Sequence, residues 1–138
     1  MDVEQVLKNA PLFSQLQKKD IKRLAAALTE RSFDAGAVII EQGQPGIGLF
    51  VLAAGSAKVS VDGKALHSFT AGDHFGEVAL IDDGVRTAAV TAETDVECFV
   101  LPAWQFRAIV HDNPDVAWAL LQSLVQRIAR SAPVPDQL

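Results

Sequence analysis

The sequence predicts a mainly β domain with flanking helices: a sandwich, barrel or β-roll, with a helical segment before it and two helices after it. Three observations carry this expectation. Between residues 33 and 101 short β-prone runs alternate with turn signals at close spacing. Before that region apolar residues recur at helical spacing. After Pro102 the helical period returns and persists almost to the end of the chain.

Each element follows from its own residues. In the segment 1–32, Leu12, Phe13 and Leu16 lead into Ile21, Leu24, Ala25 and Leu28 at helical spacing, with Lys18, Lys19, Lys22 and Arg23 mainly on the opposite face. That basic cluster reads as a solvated helix face rather than a nucleic-acid patch. The β runs are Val38-Ile39-Ile40, Leu49-Phe50-Val51-Leu52, Lys58-Val59-Ser60-Val61 and Val96 to Leu101. Asp34-Ala35-Gly36, Gln42-Gly43, Pro45-Gly46, Gly55 and Ala71-Gly72-Asp73 separate them, and Asp62-Gly63 is a hairpin turn. Trp104, Phe106 and Ile109 mark a short helix ending near His111-Asp112. Asn113-Pro114 then reads as an N-cap with proline at the first helical position. The last helix carries Val116, Leu120, Leu121, Leu124 and Ile128 on one side, and Pro133 and Pro135 end it. The chain is thus expected to be one domain, 1–138: helices in 1–32, the roll in 33–101, helices in 102–132 and a tail in 133–138.

With 138 residues, 49% of them hydrophobic and 21% charged, the chain has ordinary globular composition and is long enough to bury a core without disulfides. A net charge of −5 disfavours nonspecific attraction to nucleic acid or anionic membranes. The lone cysteine, Cys98, excludes an internal disulfide and sits in an apolar run as an inert core thiol. No basic, apolar leader opens the sequence and no apolar run approaches the roughly 20 residues that span a bilayer. A cytoplasmic location without membrane insertion is the expectation.

The chemistry concentrates between Phe75 and Ala88. Glycine followed by good helix formers, Gly76-Glu77-Val78-Ala79-Leu80, suggests a single helical turn whose first N–H groups are free to meet an anion. Nine residues after Glu77 stands Arg86, whose planar guanidinium suits paired contacts to phosphate oxygens, with the hydroxyl of Thr87 beside it. A carboxylate next to a phosphate repels it, so Glu77 should face a hydrogen-bond donor such as a ribose hydroxyl. The residues alone point to a nucleotide with a free sugar hydroxyl, or else to a plain turn closed by a Glu–Arg ion pair.

This segment resembles the phosphate-binding cassette of the cyclic-nucleotide-binding domain family, which includes the catabolite activator protein, kinase regulatory subunits and cyclic-nucleotide-gated channels. The family pattern is met at Phe75, Gly76, Glu77, Ala79, Leu80, Arg86, Thr87 and Ala88. Gly36, Gly43, Gly55 and Gly72 look like turn glycines of the family's β-roll, so the resemblance implies that the β region is this roll, a jelly-roll-like double-stranded β-helix. The resemblance implies that Arg86 pairs with the cyclic phosphate and Glu77 accepts from the ribose 2′-hydroxyl. It implies further that N–H groups near Gly76, Val78, Ala79 and Ala88 complete the cradle. Threonine at Thr87 leaves cyclic GMP open, with cyclic AMP placed ahead. The helix from Pro114 to about Ser131 resembles the family's lid helix. Its candidate base contacts are Leu121, Val125, Ile128 and Ser131, the last where the catabolite activator protein places a base-contacting hydroxyl. The stretch Gly46-Ile47-Gly48-Leu49-Phe50 departs from relatives, which often carry a polar or acidic residue there.

No cofactor and no metal is expected. His67, His74, His111 and Glu77 lack the close spacing of a cupin-type centre, and no nucleophile–base arrangement or P-loop appears, so an enzyme is not expected. With no room for a helix-turn-helix after the lid helix, DNA binding by this chain alone is not expected either. The expected role is a sensor that passes ligand binding through its last helix to an effector protein or to a second copy of itself. The alternative is a degenerate roll, ligand-free, acting as a protein-interaction module.

Overall fold

Asp2 caps the first helix, α1 (Val3–Asn9), its carboxylate accepting from the N–H groups of Glu4 and Gln5 at 3.1 and 3.4 Å. The computed structural model in which this is seen describes residues 2–82 and 86–131, without the side chains of Val78, Ala79, Asp82, Arg130 and Ser131. The tail expected at 133–138 lies outside it. Helix α2 (Lys18–Ala27) buries Ile21 and Leu24, the face its period assigns to the core.

Among the described residues eight strands follow: β1 (Thr29–Phe33), β2 (Val38–Ile40), β3 (Gly48–Ala54), β4 (Ala57–Val61), β5 (Lys64–Phe69), β6 (His74–Phe75), β7 (Ala89–Ala92) and β8 (Val96–Pro102). They form two antiparallel sheets, ordered β1-β8-β3-β6 and β2-β7-β4-β5, and the molecule is the expected β-roll with flanking helices. Strand β1 begins inside the segment read as helical. Its sequence, Thr-Glu-Arg-Ser-Phe, is exposed at four of five positions and carries no apolar period. It is an edge strand held by its register on β8, from Thr29 opposite Val100 to Phe33 opposite Val96.

Two apolar clusters explain why the central strands read as unbroken hydrophobic runs. Successive side chains of a strand point to opposite faces. On β3, Leu49 and Val51 face a cluster with Leu7, Phe13, Leu24, Phe106, Val116 and Leu120, under the helices. Phe50 and Leu52 face the other way, into the space between the sheets, with Val59, Phe69, Phe75, Val90 and Cys98. The hairpin between β4 and β5 turns at Asp62 and Gly63, with φ of 53° and 80°, the paired positive φ values of a type I′ turn.

Helices α4 (Ala103–Asp112) and α5 (Pro114–Ser131) complete the fold. Pro114 is the first residue of α5, as its fixed φ favours. Asn113 differs from a simple N-cap: its carbonyl accepts from Val116 at 2.9 Å, but its side chain donates back to Ile109 at 2.9 Å and closes α4.

Candidate functional site

The site is assembled where β6 turns into α3 (Glu77–Asp82). Pairing of β6 with β3 puts Phe75 opposite Phe50, and the two rings stack at 5.3 Å. Phe69 also stacks on Phe75, at 5.1 Å, and these two rings line the space beside Arg86. Gly76 has φ of +97°, which swings the chain out of the sheet and into α3. A Cβ there would stand 2.8 Å from Arg86 Nη1 and 3.0 Å from the carbonyl oxygen of Gly48.

Arg86 is clamped by backbone before its side chain is considered. Its N–H donates to Gln44 at 2.7 Å and its carbonyl accepts from Gly43 at 2.8 Å. The residue is only 5% exposed, and its guanidinium donates through Nη1 to the carbonyl of Gly76 at 2.5 Å and through Nη2 to the carbonyl of Gly48 at 3.0 Å. The departure noted at Gly48 therefore has a structural counterpart. A Cβ at that position would meet Leu101 O at 2.7 Å, and the carbonyl of this glycine, not an acidic side chain, orients Arg86. Two neutral carbonyls position the guanidinium without cancelling its charge. Burial lowers its pKa and the nearby Glu77 raises it, and a guanidinium stays protonated under such opposing effects.

Glu77 is fully buried. Burial pushes its carboxyl above the usual range, while Arg127, its own backbone N–H and Arg86 pull it down. One oxygen, Oε1, is bonded by Nη1 of Arg127 from α5, and the other, Oε2, is buried with no hydrogen-bond partner. Nη2 of Arg127 donates to the carbonyl of His74 at 2.7 Å, and its guanidinium lies 5.5 Å from the Phe69 ring centroid. His74 Nε2 stands 3.5 Å from Ser123 Oγ and 4.0 Å from Glu77 Oε1. Burial first, then Arg127, holds this imidazole down to about 4, against a smaller opposing effect of Asp73.

Three cavities open on this cluster: one of about 350 Å³ is bounded by Gln44, Pro45, Phe50 and Arg86, and the two others are lined by Phe69. Of these two, one, of about 180 Å³, is bounded by Val59, Gly76, Arg86, Thr87, Ala88 and Val90. The other, of about 270 Å³, lies against α5 and is bounded by Asp73, His74, Ala119, Gln122, Ser123 and Gln126. His67, Phe69 and Arg127 line both.

The structure thus brings Gly76, Glu77, Arg86, Thr87 and Ala88 to one place. Leu80 instead packs into the core under the helices. Val78 and Ala79 lie in α3, with side chains outside the described set. Leu121, Val125 and Ile128 are 54%, 63% and 57% exposed and do not line these cavities, while the side chain of Ser131 is likewise not described. Residues that sequence reasoning missed are Arg127, Ser123, His74 and Phe69. A signal existed for the first two: Val116, Leu120, Ser123 and Arg127 recur at intervals of four, three and four, one continuous helix face. Among the described residues no group of three or more His, Cys, Asp or Glu is placed to hold a metal ion. No described helix is long and apolar enough to cross a membrane.

The Cyclic nucleotide-binding domain family matches residues 30–113 of the chain. A cAMP-dependent protein kinase regulatory subunit of Aspergillus fumigatus is 37% identical over 116 residues, covering 82% of this chain and 28% of that protein. The cGMP-dependent protein kinase egl-4 of Caenorhabditis elegans is 36% identical over 134 residues, covering 89% of this chain and 17% of that protein. The chain therefore spans less than a third of the length of these relatives. Among solved structures, the regulatory subunit of a cAMP-independent protein kinase A from Trypanosoma brucei, in a mutant bound to cAMP in its A site, superposes with a TM-score of 0.79 at 30% identity. That match covers 86% of this chain and 44% of the other.

Proposed function

The chain belongs to the cyclic nucleotide-binding domain family, and we propose that it is a cytoplasmic sensor that binds cyclic AMP in preference to cyclic GMP and reports binding through α5. The observation that carries this reading is the buried pair of opposite charges. Arg86 is held by two carbonyls at the wall of a cavity, and the fully buried Glu77 keeps one oxygen without a hydrogen-bond partner. A cyclic phosphate supplies one negative charge and two exocyclic oxygens for the fork of Arg86. A ribose 2′-hydroxyl supplies the donor that Glu77 Oε2 lacks. The preference for cyclic AMP is supported by relatives described as cAMP-dependent regulatory subunits; Thr87, exposed at the cavity edge, is compatible with either base.

The mechanism is a population shift: a ligand that binds one arrangement of the cassette and α5 better than another favours it by that difference in affinity. The output surface is the outer face of α5. Trp118, Leu121, Val125 and Ile128 are each more than half exposed and recur at intervals of three, four and three. That alternation is the seam of a coiled coil, so a second copy of this chain is the partner proposed for it. Sedimentation velocity should show a concentration-dependent dimer that Leu121→Glu abolishes; a monomer at all concentrations would transfer the role to an effector protein.

The test of the ligand is a thermal-melt series with cyclic AMP, cyclic GMP and linear AMP. A ligand at 100 times its dissociation constant that binds only the folded chain adds about 2.7 kcal/mol, which raises Tm by roughly 5–10 °C in a domain of this size. A rise with a cyclic nucleotide and little with AMP supports the sensor. No rise at millimolar ligand leaves the degenerate interaction module as the reading.

A further inference from the structure

We infer that Gln42 is a positioning residue for Arg86. With Asp62 it straps the second sheet across the point where the chain enters β7, and so fixes the backbone turn that holds the arginine. This rests on the nucleotide reading above and names a residue outside the cassette on which the grip on the phosphate depends.

The geometry carries it. Residues 41–44 form a tight turn, in which the N–H of Gln44 donates to the carbonyl of Glu41 at 3.3 Å. Gly43, at the third position, has φ of +89°, as a type II turn requires. This turn is what clamps the backbone of Arg86, since the N–H of Gly43 and the carbonyl of Gln44 are the two groups bonded to it. The side chain of Gln42 ties the same turn to the β4–β5 hairpin. Its Nε2 donates to Asp62 Oδ1 at 3.0 Å, and its Oε1 accepts from the N–H of Asp62 at 2.9 Å.

The sheet shows what this paired contact spans. In the order β2-β7-β4-β5, strand β7 lies between β2 and β4. Ile40 and Val59 both stand opposite Val90, and Ser60 stands opposite Ala89, the first residue of β7. Among the described residues neither ladder extends past Ala89, where the chain arrives as Arg86-Thr87-Ala88. Gln42, two residues past Ile40, and Asp62, two residues past Ser60, bridge that gap. Ile40, Val59 and Arg86 all line one cavity, so the strap joins the strands that form its walls. The carbonyls of Gly76 and Gly48 orient the guanidinium, but they act at the end of a long side chain whose root the turn must hold. A turn ordered in advance spares the ligand the cost of ordering it, which is how a residue that touches no ligand raises affinity.

The experiment reverses the polarity of the strap. Gln42→Glu removes the donor and sets a carboxylate against that of Asp62, whereas Gln42→Glu combined with Asp62→Asn restores the pair with donor and acceptor exchanged. Both side chains are exposed, so neither change disturbs the core. In calorimetric titration, Gln42→Glu should weaken cyclic AMP binding by about three- to tenfold, at most the worth of the hydrogen bond removed. Cyclic GMP should lose the same factor, because the phosphate is common to both ligands, and the double variant should regain the wild-type affinity. In an Arg86→Ala background Gln42→Glu should cost nothing further, a coupling that a merely structural role would not produce. Without nucleotide, the amides of Gly43 and Arg86 should exchange faster in Gln42→Glu and at the wild-type rate in the double variant. Unchanged affinity, a loss that the double variant does not recover, or an equal loss in the Arg86→Ala background overturns the inference. Failure of the nucleotide reading looks different: the wild type takes up no cyclic nucleotide. Amide exchange then decides alone, and unaltered rates at Gly43 and Arg86 overturn the strap.

Discussion

Gly76 and Arg86 are fitted to one another: the arginine donates to the glycine carbonyl at 2.5 Å, and a Cβ on the glycine would stand 2.8 Å from the same nitrogen. The φ of +97° at Gly76 makes a side chain unfavourable even without that contact. Gly76→Ala should therefore destabilise the fold by about 1–3 kcal/mol, the cost of a strained backbone, and weaken nucleotide binding as well. Chemical denaturation measures the first effect and titration the second. An alanine variant with unchanged stability would show that the turn does not depend on the guanidinium.

Glu77 and the ribose hydroxyl form the second testable pair. Glu77→Ala should weaken cyclic AMP binding by about ten- to a hundredfold, the worth of a hydrogen bond to a charged group. Removing the 2′-hydroxyl from the ligand should cost the wild type a similar factor and the variant little more. Two losses that simply multiply would mean that Glu77 does not touch the ribose.

How far the sequence can be read depends on what each residue faces. The segment from Phe75 to Ala88 stands out in the sequence because particular residue types fall at fixed spacing, and the structure joins two of them, Gly76 and Arg86, by a hydrogen bond. Strand β1 was not legible, since an edge strand of Thr29-Glu30-Arg31-Ser32-Phe33 owes its conformation to pairing with β8 and not to an apolar pattern. Helix α5 misleads for a related reason. Apolar periodicity identifies a buried face only where the opposing wall is apolar, as it is for Val116 and Leu120. Further along, the wall is the polar cluster of His74 and Glu77, so Ser123 and Arg127 turn inward while Leu121 and Val125 are exposed.

The buried imidazole of His74 makes a pH prediction with a definite sign. An unfolded chain takes up this proton near pH 6.5, whereas the native chain resists it until about pH 4. The unfolded state binds more protons between those values, so stability is fully present above pH 6.5 and falls as the pH drops toward 4. At about 1.4 kcal/mol per pH unit the loss amounts to roughly 3 kcal/mol. His74→Gln should flatten the stability profile between pH 6.5 and 4. Glu77, raised by burial, contributes the opposite slope in both proteins, so their difference isolates the histidine. Parallel profiles for the two proteins would contradict the assignment.

Cys98 is fully buried between the sheets, and burial pushes its thiol up to about 11. The thiolate is the reactive form, so a thiol reagent at neutral pH should label the native protein at the rate of unfolding and no faster. Rapid labelling of the folded chain would show that the inter-sheet core opens locally.

The central claim is that Arg86 holds a cyclic phosphate in the cavity bounded by Gly76, Thr87 and Ala88. Its most direct test is calorimetric titration of cyclic AMP into the wild type and Arg86→Ala, with circular dichroism confirming that both are folded. The account predicts one saturable site per wild-type chain and at least a hundredfold weaker binding in the variant, since a buried charge-assisted contact is worth about 3 kcal/mol or more. Equal affinity in the two proteins would contradict it.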